Sequence, residues 1–437
     1  FGHVYYDQVH STPAAVTYPS PGVMSLSGLK GPLTVGEPTV IRHAKFKDVT
    51  FSLYDATNVS ISDVRIHSGV GQAIACTTCG GIDVTRTAVV PDAGEPLSVN
   101  AGGIVLGGVR RGEGVRVVDS TVIGTGDDTF NVVTHYCVVS AISSDRTTIT
   151  IDLSALGASM TYFAVQRGIQ FVNSSNMAVL TRATIQEVGR TTLTLSNPLP
   201  ASITAQPHNE PSLRAGLWQL VVFADESVAS PVVLTGNRFG RNIGRNVLMR
   251  GVDVTISDNT FEYALGPAVL MNNDLCVFFG GAVITNATIT RNVILSPLLG
   301  GMANPISNAY GAMYLGAHVL VPRYERNGQL SPHGECVQAT ASGAGRLLYH
   351  NVDISDNVFT FEDGLGASVL PTFEGSLTAG LSFRNNTVVR MLAANGSMPA
   401  LPHNEVVVGA ESRELGTISG NTCAVAAPNG TQWPYIC

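Results

Sequence analysis

The octapeptide VTISDNTF, from Val254 to Phe261, is one copy of a pattern that recurs through the second half of the chain. Each copy has a short alternating run, a small or charged turn residue, an asparagine and a further apolar residue. Clear copies begin at Val232, Val254, Ala287, Val352, Leu381 and Gly416, and weaker copies begin at Val59, Ile82 and Val115. Because most copies follow one another after roughly 20 to 35 residues, the repeat indicates a solenoid of strand–turn–strand units.

The repeated asparagine is the fixed point of the pattern. The aligned residues are Asn237, Asn259, Asn292, Asn357, Asn386 and Asn421. An asparagine at a turn tolerates left-handed backbone and can hydrogen-bond to its own copy in the next coil. Apolar side chains of one coil would stack on those of the coils above and below it. The repeat therefore predicts an all-β fold, a right-handed parallel β-helix, in which these asparagines have a structural role.

Two stretches interrupt the repeat. Residues 137–220 contain runs such as RTTITIDL that alternate like antiparallel strands, and we predict an inserted small antiparallel β-barrel there. Residues 296–346 are rich in Gly, Pro and Asn and predict a long loop, which usually has a function or a partner surface. The expected organisation is an N-terminal segment over 1–44, first coils over 45–136, the barrel over 137–220, later coils over 221–423 and a C-terminal tail over 424–437.

Composition excludes several classes of protein. The net charge is -7 and no basic stripe occurs, so nucleic acid is not an expected partner. Hydrophobic residues make up 44% of the chain, yet no run reaches the about 18 apolar residues of a membrane helix. We therefore expect no membrane span. The histidines lack metal-ligand spacing, and we expect no metal and no cofactor.

Cysteines and sequons point to an extracellular protein. The seven cysteines are an odd number, so at least one lacks a partner within the chain. CTTC could be half of a zinc site, but no second pair follows it, so a Cys76–Cys79 disulfide is predicted, with Cys423–Cys437 as a second candidate. Candidate glycosylation sites are Asn58, Asn173, Asn286, Asn385, Asn395 and Asn429, together with Asn421, which Thr-Cys follows. These features, and a chain that starts at Phe1, predict a processed, secreted glycoprotein.

GTGDDTFNV, from Gly124 to Val132, places two aspartates side by side in a chain with only 13% charged residues. One interpretation is an exposed turn, since glycine and aspartate favour turns. The other is a site with paired carboxylates that act as acid and base. Neighbouring residues on a strand point to opposite faces, so Asp127 and Asp128 could serve one site only where the strand turns, which the glycines allow.

The order of the motifs resembles glycoside hydrolase family 110. FKDVTFSLYDATNVSISDVRI is followed by VNAGGIVL, GTGDDTFNV, the barrel stretch, RNIGRNVLMRGVDVTISDNTF and GAVITNATITRNVI. The resemblance covers roughly residues 45–295 and, more weakly, 349–390. It implies an exo-acting, inverting α-1,3-galactosidase on a right-handed parallel β-helix with a barrel-like insertion. It also implies that Asp127 and Asp128 are catalytic and share the acid and base roles, and that Asn131, Arg245 and Asp274 hold the sugar.

Several pocket positions depart from that family. Gly102 and Val105 stand where the family has Asp and His, Val133 replaces a His after the aspartate pair, and Ile243 replaces an Arg. A Glu near Asp274 is also absent. Two functions therefore stay open. One is an enzyme that removes terminal α-linked galactose. The other is a catalytically inactive glycan-binding module or structural subunit that assembles into a homo-oligomer or fibre.

Overall fold

The computed structural model describes only part of the chain. The described residues are 15–20, 23–27, 48–153, 158–174, 177–205, 220–224, 228–274, 280–281, 284–296, 313–321, 335–338, 349–361, 372–373, 378–391, 407–408, 415–426 and 432–435. The chain forms two units, Phe1–Ala44 and Lys45–Cys437. In the first unit, the strand Ala15–Ser20 pairs antiparallel with Val23–Ser27.

The second unit is a parallel β-helix, as the repeat predicts. Successive strands pass in turn through three sheets, here called sheets 1, 2 and 3, and each strand pairs in parallel with its counterpart in the next coil. Sheet 1 contains Val49–Tyr54, Gln72–Thr77, Ile104–Gly107, Phe130–Val133, Val247–Met249, Val269–Asp274, Met313–Val321, Thr372–Phe373 and Val407–Val408. Sheet 2 contains Thr57–Ser62, Gly80–Thr85, Arg111–Val118, Ser230–Thr235, Val254–Ser257, Ile284–Thr290, Tyr349–Ser355, Thr378–Arg384 and Leu415–Ser419. Sheet 3 contains Arg65–Ile66, Ala88–Val89, Thr121–Ile123, Arg238–Gly240, Thr260–Glu262, Val293–Leu295, Val358–Phe361, Thr387–Met391 and Thr422–Ala426.

The core lies inside the three sheets, because alternate residues of each short strand point inward. In sheet 1, one inward column runs through Ile74, Ile104, Phe130, Val247 and Val269, which pair in register from coil to coil. All five side chains are fully buried. Stacked apolar columns of this kind account for much of the high apolar content. Within the described residues, no helix is long and apolar enough to cross a membrane.

The corner between sheets 2 and 3 has the same two-residue length in every coil that the structure describes. Its second residue is Val64, Thr87 or Ser120 in the first three coils and the repeated asparagine in the later ones. Asn259 donates through Nδ2 to Asn292 Oδ1 at 3.0 Å, and Asn292 donates to Asn357 Oδ1 at 2.9 Å. The ladder extends from Asn237 to Asn421. The predicted hydrogen bonding between copies is therefore present.

The left-handed backbone lies one residue earlier than the sequence suggested. In each coil the residue before the ladder position has positive φ, for example +60° at Asp258 and +54° at Arg291, whereas the ladder asparagines do not. The asparagine amide must face the core to reach the asparagine of the next coil. The left-handed residue before the asparagine turns the chain and gives the amide that direction. The sequence pattern therefore identified the ladder but assigned its strained backbone to the wrong residue.

The insertion is a closed antiparallel barrel of six strands. Its strands are Cys137–Ile142, Thr148–Ile151, Gly168–Asn173, Val179–Val188, Thr192–Leu195 and Leu220–Ala224, with a short 3-10 helix over Met160–Tyr162. The last strand extends to Ala224, past the expected end at residue 220, because Leu220–Ala224 pairs with Gly168–Asn173 and closes the barrel. A separate apolar core fills it.

Two segments that the sequence placed outside the coils contain strands. Within 296–346, Met313–Val321 joins sheet 1 in parallel with Val269–Asp274, and Glu335–Gln338 pairs with it antiparallel. At the C-terminus, Gln432–Tyr435 pairs antiparallel with Thr422–Ala426. Neither stretch carries the octapeptide pattern, so local sequence gave no signal for these pairings.

The cysteines follow the disulfide prediction at one pair. Cys76 and Cys79 form a disulfide, with both residues buried and their Cα atoms 5.9 Å apart. The second candidate pair cannot be placed, since the Cys423 and Cys437 side chains lie outside the described residues. Cys137 is a buried free thiol at the start of the barrel. The described part of the chain contains no cluster of His, Cys, Asp and Glu that could hold a metal ion.

The Cys137 thiol is expected to resist alkylation in the folded protein. Burial raises its pKa from 9.0 to about 11, so the reactive thiolate is scarce near pH 8. Iodoacetamide labelling followed by peptide mass spectrometry should show little modification at Cys137 before denaturation and full modification after it. Because the thiol ionises more readily in the unfolded chain, the stability of the fold should decrease as the pH rises from 9.0 toward about 11. Rapid labelling of Cys137 in the native protein would contradict the burial.

Candidate active site

The aspartate pair lies in the corner that connects the sheet 3 strand Thr121–Ile123 to the sheet 1 strand Phe130–Val133. Gly124 begins the corner with φ +71°, a conformation that favours glycine. The corner stacks between neighbouring coils, since Gly126 N donates to Val99 O at 2.9 Å and Thr129 N donates to Arg245 O at 3.1 Å. Its position is therefore fixed from both sides.

Asp128 is buried and its carboxylate is fully engaged. Arg245 donates to it from Nε at 2.6 Å, from Nη2 at 2.7 Å and from its backbone N at 2.8 Å. Asn131 Nδ2 donates to Oδ2 at 3.2 Å. The side chain is only 3% exposed, and that of Arg245 is 23% exposed. A bidentate pair of this kind fixes the orientation of both side chains and also compensates the charge of the carboxylate.

Asp127 has a different environment, although it is adjacent in sequence. The residue is exposed, and its Oδ1 accepts from Asp128 N at 2.9 Å. Its backbone O accepts from Thr125 Oγ1 at 2.6 Å and from Asn242 Nδ2 at 3.2 Å. The two carboxylates thus accept from different donors, because the chain turns between them.

The Arg245 corner belongs to the next coil and contacts the first corner closely. Ile243 N donates to Thr125 O at 3.1 Å. A Cβ on Gly244 would lie 2.6 Å from both Asp128 N and Asp128 Oδ1, so only glycine allows this approach. The sequence Asn-Ile-Gly-Arg thus brings Arg245 to a carboxylate 117 positions earlier in the chain.

The outer face of sheet 1 carries the other candidate residues. Asn131 pairs in register with Leu248, which pairs with Leu270, so the three lie in one outer column. Asp274 ends the strand Val269–Asp274 and is buried, with its N donating to Gly280 O at 2.7 Å. The structure therefore brings Asp128, Asn131 and Arg245 into contact and places Asp274 farther along the same sheet.

Arg250 is a residue of this region that the sequence did not single out. It is 3% exposed and donates from Nε to Asn272 O at 2.8 Å and from Nη2 to Asn272 Oδ1 at 3.0 Å. Burial lowers the pKa of its guanidinium to about 10, while the charges of Asp274 and Asp128 act in the opposite direction. Arg250 directly follows the strand Val247–Met249, two positions after Leu248, so continuing the strand alternation would have assigned it to the outer face.

Two segments from outside the coils cover the end of this face. Gly280 forms antiparallel bridges with His135 and Asp274. The barrel contributes Tyr162, whose ring stacks on His135 with centroids 5.7 Å apart. Burial raises the pKa of Tyr162 to about 12, so the phenol stays neutral. A Cβ on Gly108 would lie 2.8 Å from Tyr162 Cε1, so the barrel contacts the coil closely here.

The departures from the family pattern are partly coupled in space. A Cβ on Gly102 would lie 2.6 Å from Val105 Cγ2 and 3.4 Å from Asp128 O, so a side chain at 102 would require Val105 to move. Both positions are therefore next to the aspartate corner. Val133 and Ile243 are each 7% exposed, so apolar groups occupy positions where the family has polar ones.

The candidate glycosylation sites have different surroundings. Asn58 and Asn286 are exposed within sheet 2 strands, Asn385 is exposed at a corner, and all three have φ between +52° and +56°. Asn286 Nδ2 already donates to Asp253 Oδ1 at 2.9 Å, and Asn421 Nδ2 donates to Phe383 O at 3.1 Å. Glycosylation of either would require loss of that hydrogen bond. The other candidates are Asn173, which is half-buried in a barrel strand, and Asn395 and Asn429, which lie outside the described residues.

Comparison with known proteins finds one informative relative. The chain is 22% identical over 368 residues to "Alpha-1,3-galactosidase A" of Bacteroides fragilis (strain YCH46), covering 81% of this chain and 52% of the relative. The resemblance to glycoside hydrolase family 110 is thereby confirmed, and the chain spans about half the length of this relative. No protein-family model matches the chain.

Solved structures with some similarity are phage tailspikes. The tailspike gp49 of Pseudomonas phage LKA1 is 11% identical, covering 76% of this chain and 54% of that chain, with a TM-score of 0.21. The gp54 tailspike of Acinetobacter baumannii bacteriophage AP22, in complex with A. baumannii capsular saccharide, is 10% identical, covering 84% and 64%, with a TM-score of 0.17. At these TM-scores the similarity supports no inference about function.

Proposed function

We propose that the protein acts on carbohydrate and hydrolyses terminal α-linked galactose with inversion at the corner that holds Asp127 and Asp128. The observation that carries this proposal is the Asp128–Arg245–Asn131 cluster. Three residues that the family resemblance implicates meet there through four hydrogen bonds, although Arg245 comes from a different coil than Asp128 and Asn131. The match to an α-1,3-galactosidase supports the choice of sugar.

The geometry suggests separate roles for the two aspartates. Asp127 has the exposed carboxylate, so we assign it the reacting role, as base toward water or as acid toward the leaving oxygen. Asp128 is a positioning residue, because its oxygens hold Arg245 and Asn131 in place for the sugar. Inversion needs a second carboxyl group about 6.5–9.5 Å from the first, with a water between them. Asp274 does not take that role, because it lies five residues past Val269, the register counterpart of Phe130, and so is much farther than that from Asp127.

A second candidate function is glycan binding without turnover in an extracellular assembly. It is favoured by the four donors that occupy Asp128 and by the absence of a carboxylate at Gly102. Under this proposal the same corner would bind galactosides, and the protein could form a homo-oligomer or fibre. Both candidates place the protein outside the cell, which the Cys76–Cys79 disulfide supports.

Hydrolysis of aryl α-galactosides and of α-1,3-linked galactose oligosaccharides is the expected activity, with β-galactosides inert. Asp127→Asn should lower kcat by about 100-fold or more, because acid or base catalysis contributes roughly 10²–10⁴ in rate. Proton NMR of the released sugar should show the β-anomer first. Asp258→Asn is the matched control, since Asp258 is exposed and pairs with Arg291 at another corner.

The outcomes separate the candidates. Turnover that Asp127→Asn abolishes and Asp258→Asn retains would support the hydrolase. Saturable galactoside binding without turnover, in a folded protein, would support the binding module. If the protein neither hydrolyses nor binds any saccharide in the panel, both candidate functions are rejected.

A further inference from the structure

Arg250 is a buried arginine whose charge has no counter-ion in contact. Its guanidinium donates only to Asn272, from Nε and Nη2. Within the described part of the chain it forms no ion pair, and Nη1 makes no hydrogen bond there. A buried charge is unfavourable unless an opposite charge compensates it closely. Arg250 Nη1 therefore has N–H donors without an acceptor in the described part of the chain.

The nearby carboxylates do not supply that contact. Asp128 is occupied by the bidentate pair with Arg245. Asp274 acts on Arg250 at longer range, since its charge raises the Arg250 pKa without forming an ion pair, and burial outweighs it. Folding has already removed water from this guanidinium. The binding free energy of an anion at this site therefore includes little further cost for dehydrating Arg250.

Gly280 packs its backbone against the guanidinium, and a side chain at that position would close off the Nη1 end of Arg250. A Cβ there would overlap Arg250 Nη1 and lie 2.9 Å from Cζ. The backbone of Gly280 is held by its bridges to His135 and Asp274. The edge that carries Nη1 and Nη2 can present two parallel N–H donors, a geometry that matches the oxygens of a carboxylate or sulfate.

Asn131 supplies an independent unpartnered group on the same sheet. Its Oδ1 is buried and has no hydrogen-bond partner. The amide cannot simply be reversed, because Nδ2 donates to Asp128 Oδ2 at 3.2 Å and reversal would place two acceptor oxygens against each other. Asn131 Oδ1 therefore remains an acceptor for a hydroxyl group.

We infer that this site takes an anionic saccharide, with Arg250 binding a carboxylate or sulfate substituent and Asn131 accepting from a sugar hydroxyl. The inference rests on the proposed function, because it places the sugar at the same corner. It narrows the substrate class from neutral galactosides to acidic ones such as galacturonides or sulfated galactosides.

Calorimetric titration of the wild-type protein tests this inference directly. The ligands are α-linked galacturonic acid oligosaccharides, their methyl esters, neutral α-galactose oligosaccharides and a sulfated galactoside. Galacturonides should bind roughly tenfold or more tightly than their methyl esters, which have the same shape without the charge. The sulfated ligand distinguishes a carboxylate site from a general anion site. The comparison of acid with ester requires no variant.

Arg250→Gln should abolish the difference in affinity between acid and ester, while Arg291→Gln, at an exposed ion pair, should preserve it. Circular dichroism would confirm that both variants fold. Equal binding of acid and ester by the wild type, or a preference that survives Arg250→Gln, would overturn the inference and leave the proposed function intact. Failure of every saccharide to bind would overturn both.

Discussion

Replacement of Asn292 by alanine is expected to lower the free energy of unfolding by roughly 3–5 kcal/mol, because it leaves several buried polar groups without partners. Asn292 Oδ1 accepts from Asn259 N and Nδ2, both at 3.0 Å. Its Nδ2 donates to Ile256 O and Asn357 Oδ1, both at 2.9 Å. The residue is fully buried, so water cannot replace these bonds. Urea denaturation followed by far-UV circular dichroism measures the loss.

The matched control is Asn351→Gly. Asn351 also takes part in a coil-to-coil amide contact, with Nδ2 donating to Asn286 Oδ1 at 3.2 Å, but it is exposed. Glycine accepts its φ of +53° without strain. The expected loss is about 1 kcal/mol or less, since water replaces an exposed partner. Similar losses in both variants would show that burial is not the cause.

Substitution of Arg245 by methionine is the second change with a large expected effect, about 3 kcal/mol or more, because it removes one partner of a buried ion pair. Asp128 would keep the Arg245 backbone N–H and Asn131 but lose the two guanidinium bonds. Galactoside turnover or binding should fall with it, since Asn131 would no longer be held against a fixed carboxylate. Chemical denaturation gives the stability, and titration with a galactoside gives the binding.

A double variant separates the charge from the packing. Arg245→Met combined with Asp128→Asn should be less destabilised than the sum of the single changes, by about 1–3 kcal/mol, because no uncompensated charge remains. The exposed pair Arg291–Asp258 provides the comparison, and Arg291→Met should destabilise the protein far less, because solvent screens this pair. Additive effects at Asp128 and Arg245 would show that the pair is not energetically coupled.

The fold was predictable because its information is local and repeated. One octapeptide defines a coil corner, and apolar alternation around it defines which side chains stack inside. The barrel was visible as a break in the repeat, although its last strand extends to Ala224 because closure depends on pairing with Gly168–Asn173. The strands Met313–Val321 and Glu335–Gln338 were missed, since their pairing partners rather than their own composition determine them.

The candidate site was only partly predictable. The glycines around Asp127 and Asp128 correctly suggested a turn, but the sequence could not show that Arg245 would occupy Asp128 and leave Asp127 exposed. That outcome depends on the register between two coils separated by the barrel. Arg250 gave no motif at all. Its importance comes from burial without a contacting counter-ion, which is a property of the assembled face.

The constant two-residue corner between sheets 2 and 3 has a consequence for how this architecture can change. Interruptions of the described coils, including the whole barrel, enter at the other two corners, where length varies. An insertion at the asparagine corner would separate amides that must meet at hydrogen-bonding distance, whereas an insertion elsewhere leaves that contact intact. Evolution or engineering could therefore exchange entire domains between Val133 and Ser230 while the coils keep their spacing. The solenoid is a scaffold that accepts insertions at two of its corners and excludes them at the asparagine corner.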